Sequence, residues 1–110
     1  MCIFCDIIEG KVPSTKRYED DKFIIIDDIS HRAKKHYLII PKAHYSTFAE
    51  QTEEQAIDLG LMLNRFSRFG KILGLEEGYR MMINQGENAG QSVEHVHVHI
   101  LGGEKLPVAP

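Results

Sequence analysis

The sequence has no tryptophan, only two cysteines and four prolines, and no long apolar run. No stretch approaches the roughly 20 apolar residues that cross a bilayer, so we expect no membrane association. The first residues, 1–6, lack the basic start and apolar core of a signal peptide. We therefore expect a cytoplasmic protein, whose two cysteines are thiols or metal ligands rather than a disulfide.

Basic residues are also few, with 13 Lys and Arg against 16 Asp and Glu, and the net charge is −3. The densest basic patch consists of Arg32, Lys34, Lys35 and Lys42. Because binding to a duplex requires many phosphate contacts, we expect no nucleic-acid partner. A few local donors are nevertheless enough to hold one phosphate, so a small anionic ligand remains compatible with this composition.

What the sequence does contain is typical of one soluble domain spanning residues 1–110, with 43% hydrophobic residues. The pattern predicts a short helix over 3–9, ended by Gly10, and strands over 16–19, 23–26, 36–40, 79–84 and 95–101. A capping box at Thr52 and Gln55 begins one long helix, which we expect to reach about Gly74. This order predicts an α+β fold.

Three apolar residues of the long helix, Ile57, Leu61 and Phe69, lie off its main apolar stripe. They are compatible with a wide core face or with a second buried face at a dimer contact.

Three histidines alternate with apolar residues in the segment His95-Val96-His97-Val98-His99-Ile100-Leu101. Successive side chains of a strand point to opposite faces, so we expect the three imidazoles on one face above an apolar floor. At roughly 3.3 Å per residue the row spans about 13 Å, so the rings cannot all meet at one atom. The pattern predicts either a metal chelated by adjacent members or a separate task for each ring.

Two further features accompany the row. Cys2 and Cys5 have the spacing of a tetrahedral zinc site, which needs two more ligands; redox use or two ordinary buried thiols are the alternatives. Gly90, Gln91 and Ser92 precede the row and could offer backbone N–H groups, an amide and a hydroxyl to phosphate oxygens.

Together these motifs resemble the histidine triad (HIT) family, in its nucleotide-binding phosphoramidase branch, from Cys2 to about Gly103. The resemblance rests on Cys2-Ile3-Phe4-Cys5-x-Ile7-Ile8, Asp27-Asp28-Ile29-Ser30, His36-Tyr37-Leu38-Ile39-Ile40-Pro41-Lys42-x-His44, Gly78-Tyr79-Arg80, Gly90-Gln91-Ser92-Val93-x-His95-Val96-His97-Val98-His99 and Leu101-Gly102-Gly103. It implies a HIT-like fold, with an antiparallel sheet of about five strands, one long helix and a short N-terminal helix. It also implies a homodimer that pairs the long helix and an edge strand.

The same resemblance implies a hydrolase that cleaves the P–N bond of purine nucleoside 5′-phosphoramidates. His97, the middle histidine, would attack the α-phosphorus and form a nucleotidyl-histidine intermediate. His99 would hydrogen-bond the phosphate, Ser92 would act near the leaving group, and His36 would orient the ring of His97. Zinc-bearing members of the family have a four-ligand site that maps onto Cys2, Cys5, His44 and His95, which implies a structural Zn²⁺.

The implied pocket for purine nucleoside monophosphate derivatives has apolar side chains around the base, carboxylates at the ribose and polar groups at the phosphate. It comprises Ile3, Phe4, Ile7, Ile26, Asp27, Asp28, Ile29, Leu38, Asn84, Gly90, Gln91, Ser92, Val93, His97 and His99.

Two departures from the family pattern bear on specificity. Several animal members have a C-terminal tryptophan, which this chain lacks, and residue 27 is Asp where His is common. Three alternative functions remain open at this point. They are a dinucleoside polyphosphate hydrolase or nucleotidyl transferase of the same fold, a nucleotide-binding regulatory partner with little turnover, and an unrelated protein with a catalytic metal on the histidine row.

Overall fold

The computed structural model describes residues 2–108 of the chain. Its regular elements follow the order expected from the sequence. They are α1 (Ile3–Ile8), β1 (Lys16–Glu19), β2 (Phe23–Asp27), β3 (Lys35–Pro41), α2 (Glu53–Phe66), β4 (Tyr79–Met82) and β5 (Val98–Gly102), with 3₁₀ turns at Phe48–Glu50, Ser67–Phe69 and Glu87–Ala89. The expected α+β architecture, a five-stranded sheet with one long and one short helix, is confirmed.

The five strands form one antiparallel sheet in the order β1-β2-β3-β5-β4. The two apolar runs of the sequence become the neighbouring strands β2 and β3, which are buried along most of their length. β5 lies between β3 and β4 and is fully buried. The histidine-bearing segment thus enters an interior strand of the sheet, while β4 is an edge strand whose outer side has no partner strand among residues 2–108.

The long helix α2 covers one face of the sheet. It begins at the predicted capping box, in which the Gln55 amide N–H donates to Thr52 Oγ1 over 3.1 Å and the Thr52 N–H donates to Gln55 Oε1 over 2.9 Å. Its buried side chains, Leu59, Met62 and Phe66, pack on residues of β2, β3 and β5. This layer forms the larger of the two cores.

The short helix α1 covers part of the opposite face. Phe4 and Ile7 of this helix pack against Ile26 of β2 and against Leu38 and Ile40 of β3. Because side chains alternate along a strand, β3 divides its residues between the two layers, and His36 lies on the α1 side together with Leu38. The space that α1 leaves open on this face holds the candidate site.

Two predicted elements have different ends. The long helix stops at Phe66 rather than near Gly74, because Ser67 Oγ donates to the Asn64 carbonyl oxygen over 2.8 Å and the following glycines favour turns. Gly74 adopts a φ of 76°, which is incompatible with a continuing helix. The predicted strand over 79–84 ends at Met82.

The predicted strand over 95–101 begins only at Val98, so His95 and His97 precede it. Before β5 the chain turns toward another loop, where the Val96 N–H donates to the Tyr45 carbonyl oxygen over 2.8 Å. The prediction of a regular strand through all three histidines was therefore wrong.

The three apolar residues off the helical stripe have different environments. Phe69 packs against the core next to α2, whereas 60% of Ile57 and 45% of Leu61 are exposed. The interpretation as a wide core face is therefore wrong for Ile57 and Leu61. Within residues 2–108, no helix has both the length and the apolar character that crossing a membrane requires.

Candidate functional site

A cavity of about 700 Å³ opens on the α1 side of the sheet. This volume falls within the range of small-molecule binding pockets. Its walls come from α1, the turn that follows it, the end of β2, the loop after β2 and the segment that carries His97 and His99. Most of the residues implied for nucleotide binding line it, namely Ile3, Phe4, Ile7, Ile26, Asp27, Asp28, Ile29, Leu38, Ser92, Val93, His97 and His99.

His97 is buried beside this cavity with a defined tautomer. Its Nδ1 lies 2.7 Å from the carbonyl oxygen of His95. A carbonyl oxygen only accepts hydrogen bonds, so Nδ1 carries the proton and Nε2 keeps its lone pair. Phe4 packs edge-on against the ring at 4.9 Å between centroids, and together these contacts restrict how the imidazole can rotate.

His99 is held by a second histidine. The main-chain N–H of Arg32 donates to His36 Nδ1 over 3.2 Å, so His36 carries its proton on Nε2. His36 Nε2 lies 3.0 Å from His99 Nδ1, and donation to that nitrogen leaves His99 with its proton on Nε2. The cavity thus receives a lone pair from His97 and an N–H donor from His99.

This geometry corrects one expectation, because His36 contacts His99 and not the ring of His97. The strand register explains the difference: Leu38 pairs with His99 and His36 pairs with Leu101, so His36 and His99 are diagonal neighbours on one face. The carbonyl of His95 performs the orienting role that we had assigned to His36.

Burial sets the charge of His99 and His36. It lowers the pKa of His99 to about 4, and the neighbouring His97 and His36 add to the effect. Burial likewise lowers the pKa of His36, against the attraction of the nearby Asp28 carboxylate. His36 and His99 are therefore neutral at pH 7, which agrees with a hydrogen-bond chain that carries one proton per ring.

The two aspartates at the end of β2 have different roles in the fold. Asp28 Oδ1 accepts from the main-chain N–H and the hydroxyl of Ser30, and Oδ2 lies 3.3 Å from His36 Nε2. Burial raises the pKa of Asp28, but the Ser30 hydrogen bonds and the adjacent histidines outweigh it and the pKa falls below its usual value. Asp27 forms a two-point ion pair with Arg17, at 2.8 and 2.7 Å.

Three residues expected at the phosphate, Asn84, Gly90 and Gln91, do not line this cavity. Asn84 Nδ2 instead donates to the Ala89 carbonyl oxygen over 2.7 Å. The Gln91 amide donates to the carbonyl oxygens of Ser46 and Val93, and Gln91 Oε1 accepts from a main-chain N–H of its own loop. Both amides brace the loop that presents Ser92. Direct contact of Asn84, Gly90 and Gln91 with a phosphate stays a prediction.

Sequence reasoning also missed residues that line the cavity. They are Val12, Pro13, Ser14, Thr15, Ser30 and Arg32. The sequence predicted the turn over 12–14. The position of that turn beside the end of β2 depends on a long-range contact, in which the Asp27 N–H donates to the Thr15 carbonyl oxygen over 3.0 Å. Arg32 did carry a signal, as a member of the basic patch.

A second cluster, formed by Cys2, Cys5, His44 and His95, lies beside the cavity, and all its potential ligand atoms are within 4.8 Å of one another. The two Nδ1 atoms are 3.2 Å apart, and Cys2 Sγ lies 3.3 Å from His95 Nδ1. Cys5 Sγ lies 3.4 Å from His44 Nδ1 and 3.7 Å from His95 Nδ1. A tetrahedral zinc ion separates such ligand atoms by roughly 3.3–3.8 Å, so this donor set fits zinc.

The tautomer of His95 supports the same conclusion. Its Nε2 lies 2.7 Å from the Pro41 carbonyl oxygen and therefore carries the proton, which leaves the Nδ1 lone pair facing the cluster. Burial and the neighbouring Cys2 raise the pKa of Cys5 to about 11, so the thiol stays protonated unless a cation displaces its proton.

A third group of potential ligands, Asp28, His36 and His99, is equally compact. The tautomer of His36 argues against a metal there. Its Nδ1 accepts the Arg32 main-chain N–H, so the nitrogen that faces the other two residues, Nε2, carries a proton. This group is therefore a hydrogen-bond chain and not a set of metal ligands.

The model of the HIT domain family matches residues 9–106 of the chain. Protein HitA of Neisseria gonorrhoeae is 38% identical over 101 residues, which cover 92% of this chain and 94% of that protein. A 14 kDa zinc-binding protein of Zea mays is 44% identical over 110 residues, covering 98% of this chain and 86% of that protein.

Solved structures give the same result. A HIT family hydrolase from Clostridium thermocellum superposes with a TM-score of 0.90 at 41% identity, covering 98% of this chain and 95% of that one. A histidine triad protein from Clostridium difficile superposes with a TM-score of 0.91 at 36% identity, covering 99% and 96%. Sequence and fold agree, and this chain belongs to the HIT domain family.

Proposed function

We propose that the protein is a nucleotide-binding hydrolase that cleaves the P–N bond of purine nucleoside 5′-phosphoramidates through a nucleotidyl-His97 intermediate. The observation that carries the proposal is the tautomer of His97. Its proton is held on Nδ1 by the His95 carbonyl oxygen, so the unprotonated Nε2 is free to act as a nucleophile at the cavity. The HIT family hydrolases among the structural relatives support hydrolysis as the reaction class.

In the proposed first step, the Nε2 lone pair of His97 forms a bond to the α-phosphorus while the P–N bond breaks. The nitrogen leaves with the electron pair and takes a proton from water, passed through the Ser92 hydroxyl. In the second step, a water molecule attacks the same phosphorus and gives its proton to the hydroxide left by the first step. The His97 imidazole leaves as a neutral ring, and AMP departs. The two steps together consume one water molecule, and each is easier than direct hydrolysis.

His99 supports this reaction as a donor. Its Nδ1 accepts from His36, so its Nε2–H is available to a phosphate oxygen. A donor held in place before the reaction stabilises the charge that develops on the phosphoryl oxygens. Ser92 is exposed at the edge of the same cavity, where a leaving group has room to depart.

The rest of the cavity favours a nucleoside. Ile3 and Ile29 are 44% and 94% exposed at the cavity, where they offer apolar contact area to a flat base. The Asp28 carboxylate lines the same cavity beside His36 and still has lone pairs for a ribose hydroxyl. The purine preference and the AMP-like substrate rest on the family resemblance.

We infer that Cys2, Cys5, His44 and His95 bind Zn²⁺. Bound zinc would stabilise the junction between α1 and the loops at the ends of β3 and β5, because its ligands come from all three segments. All four coordination positions are filled by the chain, so the ion would be structural.

We also propose that the protein is a homodimer that joins α2 and the edge strand β4 of two copies. Ile57 and Leu61 on α2 are 60% and 45% exposed, and Met81 on β4 is 36% exposed. Exposed apolar side chains on an unpaired strand and an adjacent helix are costly in a monomer and are relieved by pairing.

The experiment that tests the function is hydrolysis of adenosine 5′-phosphoramidate by the purified protein, beside His97→Ala. We expect the wild type to release AMP and the variant to lose at least about 10³-fold in kcat, because the covalent route is removed. Thermal unfolding of both proteins verifies that the variant folds. Rapid-quench trapping should detect a 5′-adenylyl group on the wild type only. Release of AMP at equal rates by both proteins would refute the assignment of His97 as the nucleophile.

A further inference from the structure

The basic patch of the sequence separates in the fold. Lys42 forms an ion pair with Glu19 at 2.8 Å, and the Lys35 side chain lies against Gly103. Of the four basic residues in the patch, only Arg32 lines the cavity. Arg32 is therefore the one residue of this patch that can bind an anionic ligand in the cavity.

Arg32 is an exposed guanidinium that forms no ion pair among the described residues. The other arginine beside this region, Arg17, is neutralised by two-point pairing with Asp27. Asp28 contacts Ser30 and His36 and forms no ion pair with Arg32 in the described part of the chain. Arg32 thus lines the cavity and carries a charge that no carboxylate within residues 2–108 pairs with.

The main chain of Arg32 is separated from the proposed reaction centre by one histidine ring. Its main-chain N–H binds His36 Nδ1, and the His36 ring then leads to His99. The His36 ring and two hydrogen bonds lie between the Arg32 backbone and the His99 ring, whose Nε2–H is proposed to bind the α-phosphate. The guanidinium is nevertheless close enough to contribute to the lowered pKa of both histidines.

An arginine side chain holds carboxylates and phosphates through two parallel hydrogen bonds. We propose that Arg32 makes this cavity selective for nucleotides that carry a second anionic group, a carboxylate or a phosphate, in addition to the α-phosphate. The inference rests on the proposed function, since it takes the α-phosphate to lie at His97 and His99. The second anion can belong to the leaving group or to the ribose, and the chemistry at Arg32 is the same.

Calorimetric binding to three ligands tests the inference without turnover. AMP is the reference, ADP adds an anion on the leaving-group side, and adenosine 3′,5′-bisphosphate adds one on the ribose. For the wild type we expect at least one of the two to bind about tenfold more tightly than AMP, because a charge-assisted pair contributes roughly that factor. If ADP binds more tightly than the bisphosphate, Arg32 binds an anion on the leaving group. If the bisphosphate binds more tightly, Arg32 binds an anion on the ribose.

In Arg32→Gln, the affinity for the favoured doubly anionic ligand should be within about twofold of the affinity for AMP. Arg32→Lys should retain part of the preference for that ligand, because the charge remains. Arg68→Gln is the matched control, since it removes the same charge from an exposed residue after α2, which covers the opposite face of the sheet. Equal thermal stability of the variants excludes misfolding. The inference is overturned if Arg32→Gln weakens AMP as much as the doubly anionic ligands, or leaves all three unchanged.

A kinetic comparison separates this inference from the proposed function. Adenosine 5′-phosphoramidates of glycine and of glycinamide differ by one carboxylate on the leaving group. If ADP is the favoured ligand, we expect kcat/KM to favour the glycine compound about tenfold in the wild type and not in Arg32→Gln. If neither compound is hydrolysed but the binding ratios depend on Arg32, the P–N reaction is refuted and the role of Arg32 stands.

Discussion

Nδ1 of His97 lies 2.7 Å from the main-chain carbonyl oxygen of His95, whose own side chain belongs to the Cys/His cluster. One residue therefore faces two sites: its backbone holds the proposed nucleophile and its imidazole holds the proposed metal. Cys2 and Cys5 flank Ile3 and Phe4, which line the nucleotide cavity. The Cys/His cluster and the cavity thus share helix α1 and the segment that leads into β5.

The first prediction concerns the metal. Cys5→Ser should reduce bound zinc from about one equivalent to below about 0.2, because a thiolate ligand is lost. We expect its melting temperature to fall by about 5–10 °C. Elemental analysis and calorimetry measure the two effects. His31→Asn, at an exposed histidine outside the cluster, is the control and should keep its zinc. A full equivalent of zinc on Cys5→Ser would rule out the four-ligand site.

The second prediction concerns His36, which we assign a positioning role through His99. His36→Leu should lower kcat for adenosine 5′-phosphoramidate by about 10–100-fold, as is typical when the partner of an active-site imidazole is removed. Binding of AMP should weaken by less than about threefold. In ¹⁵N NMR, the His99 ring should change its tautomer distribution. An unchanged His99 tautomer with an equal loss of kcat would indicate a merely structural role.

The third prediction concerns stability against pH. His99 has its folded pKa lowered to about 4, whereas an unfolded histidine binds a proton near its ordinary value of 6.5. Between these two values the unfolded chain binds a proton on His99 and the folded chain does not, which favours unfolding. The stability contributed by neutral, buried His99 is therefore complete above pH 6.5 and is lost as the pH falls toward 4.

We expect the free energy of unfolding of metal-free protein to fall by about 1–3 kcal/mol across this window. Urea titrations at several pH values measure it, and His99→Asn should show a smaller pH dependence. A wild-type stability that is flat from pH 6.5 to 4 would contradict the burial of a neutral His99. Asp28 acts in a lower window, because its folded pKa is depressed below the usual 3.8 and its contribution is lost as the pH falls from that value toward the folded pKa.

The fourth prediction concerns assembly. Light scattering should give the wild type twice the mass of one chain, and Leu61→Glu should shift it toward one chain, because a charge is introduced into the apolar surface of α2. Ile72→Glu is the control, since Ile72 is 83% exposed and lies after the helix. A wild type that has the mass of a single chain at tens of micromolar would remove the dimer proposal.

Most of the fold could be predicted because its signals are local. The capping box at Thr52 and Gln55 marked the start of α2, and the apolar runs over 23–26 and 36–40 became β2 and β3. The end of α2 could not be read from its apolar stripe, since residues beyond Phe66 pack on the core from turns and not from a helix.

The sequence by itself determined which groups are candidates for the chemistry: the histidine row, the Cys-x-x-Cys pair and the polar loop before the row. These signals depend on residue type and on spacing along the backbone. Only the tertiary structure decided how the groups are paired. Through the register of β3 and β5, His36 contacts His99. Gln91 braces a loop, and Arg32 lines the cavity. Such pairings depend on strand register and loop paths, which are set by contacts between residues far apart in the chain.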